Sequence, residues 1–389
     1  MRLLHTSDWH LGKNLFSFSM LEDQHLIVRQ ILELIEEKQI DAVVIAGDVY
    51  DRPVPPVGAM ELYDFFLTRA VLELGVPVLS IAGNHDSAGR LEFGSGLYRG
   101  SGYHVAGRVA MPAHKITLTD AYGPVHFHLL PYLHPADVRA IYPEAGARTF
   151  DDAWRALLST IRLNPEERNV AVAHGFFAAL APDAAARAIL TSDSEVSVGG
   201  MDIADSALFA AFDYTALGHL HAPQRAGGDT VRYSGTPLKY SLSEREQQKS
   251  VTVVELGEKG QVSAQAVPLT PRRDVRVVSG SLDFLLEPAN HQNKHFDDYV
   301  FAELEDESVL YPMEKLRTLL PNLLGLRLHA REETAAALPT GPGTRKRLTE
   351  EDLFRRFYLE IKGEDIPPRA LEIFKEAKTQ SRQEEEVNP

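Results

Sequence analysis

The chain has 389 residues, with 40 Lys and Arg against 55 Asp and Glu, a formal net charge of −15, 44% hydrophobic and 24% charged residues, and no cysteine. That length exceeds one ordinary core and calls for two or three domains; the mix of apolar and charged residues excludes wholesale disorder. The missing thiols exclude disulfides, thiolate metal sites and cysteine nucleophiles, and the acidic balance argues against a chain that coats nucleic acid unaided, because Lys and Arg dominate non-specific phosphate binding.

No window approaches the roughly 20 consecutive apolar residues of a membrane span, and the N-terminus lacks the layout of a signal peptide, so a cytoplasmic protein without a membrane partner is expected. The charge is only a weak veto on a nucleic-acid substrate, since bound metal ions or a separate subunit can supply positive surface.

In chain order, Arg2 to Thr6, Ala42 to Ala46, Val78 to Ala82 and Asn169 to Ala173 are short Val-, Ile-, Leu- or Ala-rich runs that end in Asp, His, Gly or Asn, the pattern of buried strands leading into functional loops. Leu21 to Glu37 reads as a covering helix with Leu21, His25, Val28, Leu32 and Ile35 on its apolar face. Pro56 to Leu74 reads as a second helix whose wide apolar stripe serves the core, with self-association as a further use. Val125 to Leu130, Val231 to Ser234 and Val251 to Leu256 add strands without long helices between them, which points to a sheet sandwich flanked by helices. Beyond residue 270 a small mixed module is expected over 271–333, with strands near Asp298 to Glu303 and Leu326 to His329 and a helix around Met313 to Leu320. A Pro- and Gly-bearing linker follows over 334–347, then a helix-loop-helix over 348–377 carrying Phe354, Phe357, Tyr358, Leu371 and Phe374, and a solvated tail over 378–389. Two short helices beyond a linker bury such aromatics poorly by themselves, so they are expected to dock on a partner.

Five motifs sit at predicted strand ends: Asp8-Trp9-His10, Gly47-Asp48-Val49-Tyr50-Asp51, Gly83-Asn84-His85-Asp86, His174-Gly175 and Gly218-His219-Leu220-His221. Each alone is ordinary. Asp-x-His is usually a capped loop, Gly-Asp a turn, and a lone buried His a satisfied core residue. Together they take five of the fifteen histidines and place them where loops at the carboxyl ends of neighbouring strands converge on one crevice. Histidine and carboxylate donors suit manganese, iron, zinc or cobalt, and the number of histidines argues against a purely magnesium or calcium site.

This ordered set resembles the signature of the calcineurin-like metallophosphoesterases. The resemblance implies an α/β (α+β) fold, a four-layer αββα sandwich over residues 1–270, with two divalent metal ions at the strand ends, Mn2+ by family precedent. By motif position Asp8, His10, Asp48 and His221 would hold one ion and Asp48, Asn84, His174 and His219 the other, with Asp48 bridging. Two dications against two carboxylates leave a cationic site for a phosphodiester, and a metal-bound hydroxide would attack phosphorus in line. The resemblance assigns His85 as general acid, with Asp86 orienting its imidazole. Asp51, where related nucleases carry histidine, joins the catalytic set as an orienting carboxylate.

HTSDWHLGK, AGDVYDRPVPP, IAGNHDSAGRL, LPYLHPADVR, ALGHLHAPQ and YSGTPLKYSLSE narrow the resemblance to the SbcD family. It implies a DNA nuclease, acting as exonuclease on double-stranded DNA and endonuclease on hairpin or single-stranded DNA, in repair, recombination and replication. It further implies that 271–333 is a small α+β capping domain, that the C-terminal helical pair binds a coiled-coil SbcC-type ATPase, and that the chain is a homodimer within a heterotetramer. Arg90, Arg272, Arg273 and Arg276 are candidate phosphate contacts, each more simply read as solvated surface charge. A metallophosphatase for a small molecule or phosphoprotein would lack the accessory modules. A non-catalytic scaffold would show broken ligands, and none is broken.

Overall fold

The computed structural model describes residues 1–179, 191–192, 202–291, 295–306, 309–328, 354–355, 358, 366–372 and 374–375. The chain divides into two compact units, Met1–Ala330 and Arg331–Pro389.

In the first unit, strand side chains that alternate between two cores build a sandwich. Within the strand Ala42–Ile45, Val43 and Ile45 enter one core while Ala42 and Val44 enter another, because successive side chains of a strand point to opposite faces. Both faces are covered, so the run is apolar throughout. The first six-stranded sheet has the order Val262–Pro268, Ser250–Leu256, Arg2–Thr6, Ala42–Ile45, Val78–Ile81, Tyr103–Ala106. Its four strands from Arg2–Thr6 onward are parallel, and the two before them join antiparallel. The second sheet has the order Gln224–Arg225, Val231–Tyr233, Tyr214–Gly218, Arg168–His174, Gly123–Leu130, His114–Asp120, with a parallel centre and antiparallel edges.

Leu3, Leu79, Phe127, Leu129, Val172 and Tyr214 fill the space between the sheets. The outer face of the first sheet packs against helices α1 (Leu21–Glu37) and α2 (Val57–Leu67), and that of the second against a helix over Phe150–Ser159. The result is the expected four-layer arrangement. Each fully buried Leu, Ile or Phe in these layers contributes about 1.5–3 kcal/mol relative to exposure. Arg168, 3% exposed, ties the layers together at one end. Its guanidinium donates to both Asp120 oxygens at 2.5 and 3.0 Å and to the carbonyls of Gly123, Leu256 and Gly257 at 2.7, 3.3 and 3.0 Å.

Helix α1 has the bounds read from sequence, but its buried face is rotated. Gln24, Ile27 and Ile31 face the core with Val28, Leu32 and Ile35, while Leu21 and His25 lie at the edge. The rotation also buries Asp23, which is 1% exposed. The second helix is α-helical only to Leu67 and continues as a wider π-helical turn over Thr68–Glu73. Leu62, Tyr63, Phe66, Ala70 and Val71 turn inward, leaving Met60 and Leu72 44% and 68% exposed.

After Leu269 the chain forms a parallel three-stranded sheet in the order Val275–Gly280, Tyr299–Leu304, Leu323–Leu328, with short helices over Leu282–Leu286 and Pro312–Arg317 and a small core of its own. The first of these strands was not read from sequence. Val275, Tyr299 and Leu324 also join the core beneath α1. Arg272 and Arg273 cement the same seam. Arg272 pairs with Glu22, and Arg273 donates to Asp23 and Glu22 at 2.8 Å each while the Tyr299 hydroxyl donates to Asp23 at 2.8 Å. Arg276 pairs with buried Asp298 at 3.0 Å. Arg273 and Arg276 thus hold buried carboxylates, while Arg272 and Glu22 form an exposed surface pair.

In the second unit, the rings of Phe354 and Phe374 stack with centroids 4.1 Å apart. The linker over 334–347, the tail over 378–389 and most of 348–365 lie outside the described residues. No helix among the described residues is long and apolar enough to cross a membrane.

Candidate metal centre

The motif residues stand where strands of the two sheets end side by side. Asp8 and His10 follow Arg2–Thr6, Asp48 and Asp51 follow Ala42–Ile45, and Asn84 to Asp86 follow Val78–Ile81 on the first sheet. On the second, His174 closes Arg168–His174, while His219 and His221 follow Tyr214–Gly218. Parallel neighbours put these carboxyl ends at one edge.

The backbone is bent to aim them. Asp8, His10, Asp48 and His219 have φ of 53°, 45°, 51° and 111°. Non-glycine residues rarely occupy this left-handed region, and such strain persists where surrounding structure imposes it, commonly at functional sites. The Asp8 N–H donates to Gly47 O and the His10 N–H to Asp48 O, both at 3.0 Å, and the His219 N–H reaches the Asp8 carboxylate at 3.0 Å. Glycine is required beside them: a Cβ on Gly47 would strike His174, and one on Gly83 would strike the Asp48 carboxylate.

Asp8, His10 and His221 form one group whose potential ligand atoms all lie within 4.8 Å of one another, and Asp8, Asp48 and His174 form another. Asn84 Oδ1 lies 2.9 Å from His174 Nε2 and 3.1 Å from His219 Nδ1. Asp48 Oδ2 faces both sides, 3.4 Å from His174 Nε2 and 3.7 Å from His10 Nε2. Among the described residues, neither ring nitrogen of His10 has a hydrogen-bond partner, although the residue is 1% exposed. A buried imidazole with unsatisfied nitrogens beside two buried carboxylates costs free energy unless a further group completes it, and the all-nitrogen-and-oxygen donor set fits a divalent transition metal.

Charge coupling shows how closely these groups sit. Burial opposes charge on His174, yet Asp48 and Asp8 raise it to about 9. Burial likewise works against the Asp48 carboxylate, but His174 and His10 hold it well below the usual range. Burial, reinforced by His174, lowers His219 to about 3, and burial lowers His10 against the pull of Asp48. Burial raises Asp8.

Four residues surround the ligand cluster. His85 Nδ1 lies 2.9 Å from the backbone carbonyl of Asp51, and its ring meets that of His10 edge-on at 4.7 Å. Asp86 does not orient it, contrary to the sequence expectation. The Asp86 carboxylate accepts the N–H groups of Tyr50, Gly83 and Val49 at 2.9, 3.0 and 3.1 Å, binding two of the site loops to each other. Burial and the Asp48 charge raise it to about 6. The Asp51 carboxylate instead meets the Lys13 ammonium at 2.8 Å and stands 3.7 Å from His10 Nδ1, beyond hydrogen-bonding range. Glu244, fully buried, was missed from sequence. It lies 2.9 Å from His221 Nδ1 and 2.6 Å from the Lys249 ammonium, and although burial opposes its charge, His221 and Lys249 hold it well below the usual carboxylate range. A lone Glu in the run Ser-Leu-Ser-Glu gives no sign of such a role.

The chain matches the family model described as calcineurin-like phosphoesterase over residues 1–223, and that described as type 5 capsule protein repressor C-terminal domain over 271–362. It is 31% identical over 330 residues to the D subunit of the nuclease SbcCD of Staphylococcus epidermidis, covering 84% of this chain and 85% of the relative. A protein of the same name from Staphylococcus saprophyticus is 29% identical over 367 residues, 94% of each chain. The solved structure of Yfce, a phosphoesterase from E. coli, aligns with 66% of this chain and 88% of its own at 14% identity and a TM-score of 0.27.

Proposed function

The chain belongs to the calcineurin-like phosphoesterases and, among them, to the SbcD family, and from that membership we propose that it is the metal-dependent nuclease subunit of an SbcC/SbcD-type complex. The observation that carries the reading is the unsatisfied, buried His10 imidazole set among two aspartates and three further histidines where strands of the two sheets end side by side. Asp8, His10, Asp48 and His221 would hold one divalent ion and Asp48, Asn84, His174 and His219 a second, with Mn2+ as the natural ion. When bound, two such ions supply the positive charge and Lewis acidity that phosphodiester hydrolysis needs.

The protein's own contribution is placement. An ionised Asp48 faces both halves of the ligand set, and neutral Asn84 adds an oxygen without cancelling charge that would attract phosphate. His85 is held through Nδ1 to an oxygen that can only accept, so Nδ1 keeps its proton and Nε2 is the atom that hands a proton to the leaving oxygen. Asp86 fixes the loops that carry Asp48 and His85, and Asp51 fixes Lys13 beside His10.

In this reading residues 1–270 are the nuclease domain, 271–333 a capping domain, 334–347 a linker, and 348–377 the helical pair that binds the ATPase subunit. DNA is the substrate, cut as an exonuclease on duplex ends and as an endonuclease on hairpins or single strands, in the cytoplasm. A homodimer is supported by the apolar side chains that α2 and its neighbourhood leave outward, Val57, Met60, Leu72, Phe93 and Leu97, beside a cavity of about 340 Å³ lined by Tyr63, Leu67 and Tyr98 among others. The test is purified protein, with and without its ATPase partner, on end-labelled duplex, hairpin DNA and a small phosphodiester in Mn2+. Cleavage of both DNA substrates is expected. Turnover of the small diester alone would reject the nuclease and leave a metallophosphatase.

A further inference from the structure

Glu244 lies 23 residues beyond His221 in sequence, in the short helical turn Leu242–Glu244, yet its side chain ends against the His221 ring. A carboxyl group that is 0% exposed must be either neutral or well partnered. Here it is partnered on both oxygens. Oε2 takes the Lys249 ammonium at 2.6 Å and the Tyr240 N–H at 3.2 Å, and Oε1 takes the Ser241 hydroxyl at 3.2 Å and faces His221 Nδ1 at 2.9 Å. So many donors keep it an ionised, acceptor-only group, and an acceptor-only group obliges His221 Nδ1 to be the donor. The proton is thereby fixed on Nδ1, and Nε2 becomes the nitrogen with a lone pair to give.

Lys249 adds a second hold on the same residue. Its ammonium, on a residue 3% exposed, donates to the His221 backbone carbonyl at 3.0 Å as well as to Glu244 and to Gln247 Oε1 at 2.7 Å. The Thr236 N–H also reaches the His221 carbonyl, at 3.1 Å. Backbone and ring of His221 are thus gripped from one cluster, while Glu244 and Lys249 compensate each other's charge out of water. Among the described residues, none of the other proposed ligand histidines has a carboxylate on its far nitrogen at hydrogen-bonding distance: His174 Nδ1 faces the Ala46 carbonyl at 2.8 Å, and His10 Nδ1 stops 3.7 Å from Asp51.

We infer that Glu244, clamped by Lys249, is the positioning residue of the metal centre, setting the tautomer and angle of His221 toward the side formed with Asp8 and His10. The inference rests on the metal-centre reading above. Holding a ligand imidazole by its far N–H raises its basicity and fixes its ring, and loss of such a partner typically weakens metal binding about 10- to 100-fold.

The test titrates metal-free protein with Mn2+ against a competing chelating indicator, with the thermal midpoint of the metal-free form as control. Glu244→Leu combined with Lys249→Met replaces the buried pair by apolar groups of similar size and removes the acceptor. One Mn2+ is expected to bind as in the unmodified protein and the other about 10- to 100-fold more weakly. Glu244→Gln with Lys249→Met restores an acceptor oxygen and is expected to recover most of the affinity. Unchanged affinity for both ions in a folded Leu/Met variant would overturn the inference and leave the pair a structural bridge. Should that variant fail to fold, nitrogen-15 labelling of histidine in the unmodified metal-free protein reads the same point directly, with the His221 signals identified by substitution. A proton on Nδ1 is expected, and an unprotonated Nδ1 would overturn the assignment. Unmodified protein that takes up fewer than two Mn2+ while carrying that proton would count against the dinuclear centre and not against the Glu244 contact.

Discussion

His85 Nδ1 meets the backbone carbonyl of Asp51 at 2.9 Å, while the carboxylate of its own neighbour Asp86 is taken up by three backbone N–H groups. A main-chain partner cannot be removed by changing the Asp51 side chain. Asp51→Ala therefore leaves the His85 contact in place and releases Lys13. It is expected to lower kcat at least tenfold less than His85→Ala, measured on one DNA substrate at saturating Mn2+.

Asp86 has a structural assignment from the same comparison. Asp86→Ala orphans two buried donors, the N–H groups of Val49 and Gly83, and the part-buried one of Tyr50, which water can reach; each unsatisfied buried group costs about 1–3 kcal/mol. A loss of about 2–4 kcal/mol in urea unfolding of the metal-free protein is expected, with a smaller loss for Asp86→Asn, whose amide oxygen still accepts.

The sequence was informative where chemistry and period coincide. Apolar runs buried on both faces marked the strands that carry the site, and α1 was bounded correctly. Its facing was not, because Gln24 is drawn inward to donate to His10 O at 2.8 Å and to accept from the Gly12 N–H, and buried Asp23 is answered by Arg273 from 250 residues away. Such partners leave no local pattern. Glu244 escaped for the same reason, and Asp86 was misassigned because adjacency in sequence suggested a contact that its neighbouring loops had already claimed.

The seam under the small module depends on Arg273. Arg273→Met leaves Asp23 buried with only the Tyr299 hydroxyl as a close side-chain donor among the described residues, and breaking a buried pair costs about 3–5 kcal/mol. Discounting for the partly exposed guanidinium, a loss of about 2–4 kcal/mol is expected. Hydrogen exchange should rise across 275–280 and 299–304, with Mn2+ affinity unchanged.

Acid stability should reflect Asp120, whose carboxyl Arg168 holds below its ordinary value. A depressed carboxylate contributes stability that is fully present above the unfolded value of about 3.9 and is lost as pH falls through the folded one. Asp120→Asn is expected to be about 2 kcal/mol less stable at pH 7. The gap should close as pH falls below about 4, so the substituted protein has the flatter stability profile in metal-free denaturation.

If His85 is the acid of a two-metal centre and not one of its ligands, metal content and turnover measured on one His85→Ala sample must part. Two Mn2+ per chain with turnover reduced about 10²- to 10⁴-fold is expected, against loss of metal in Asp48→Ala. Full turnover in His85→Ala would remove His85 as the acid, and loss of its metal would make it a ligand.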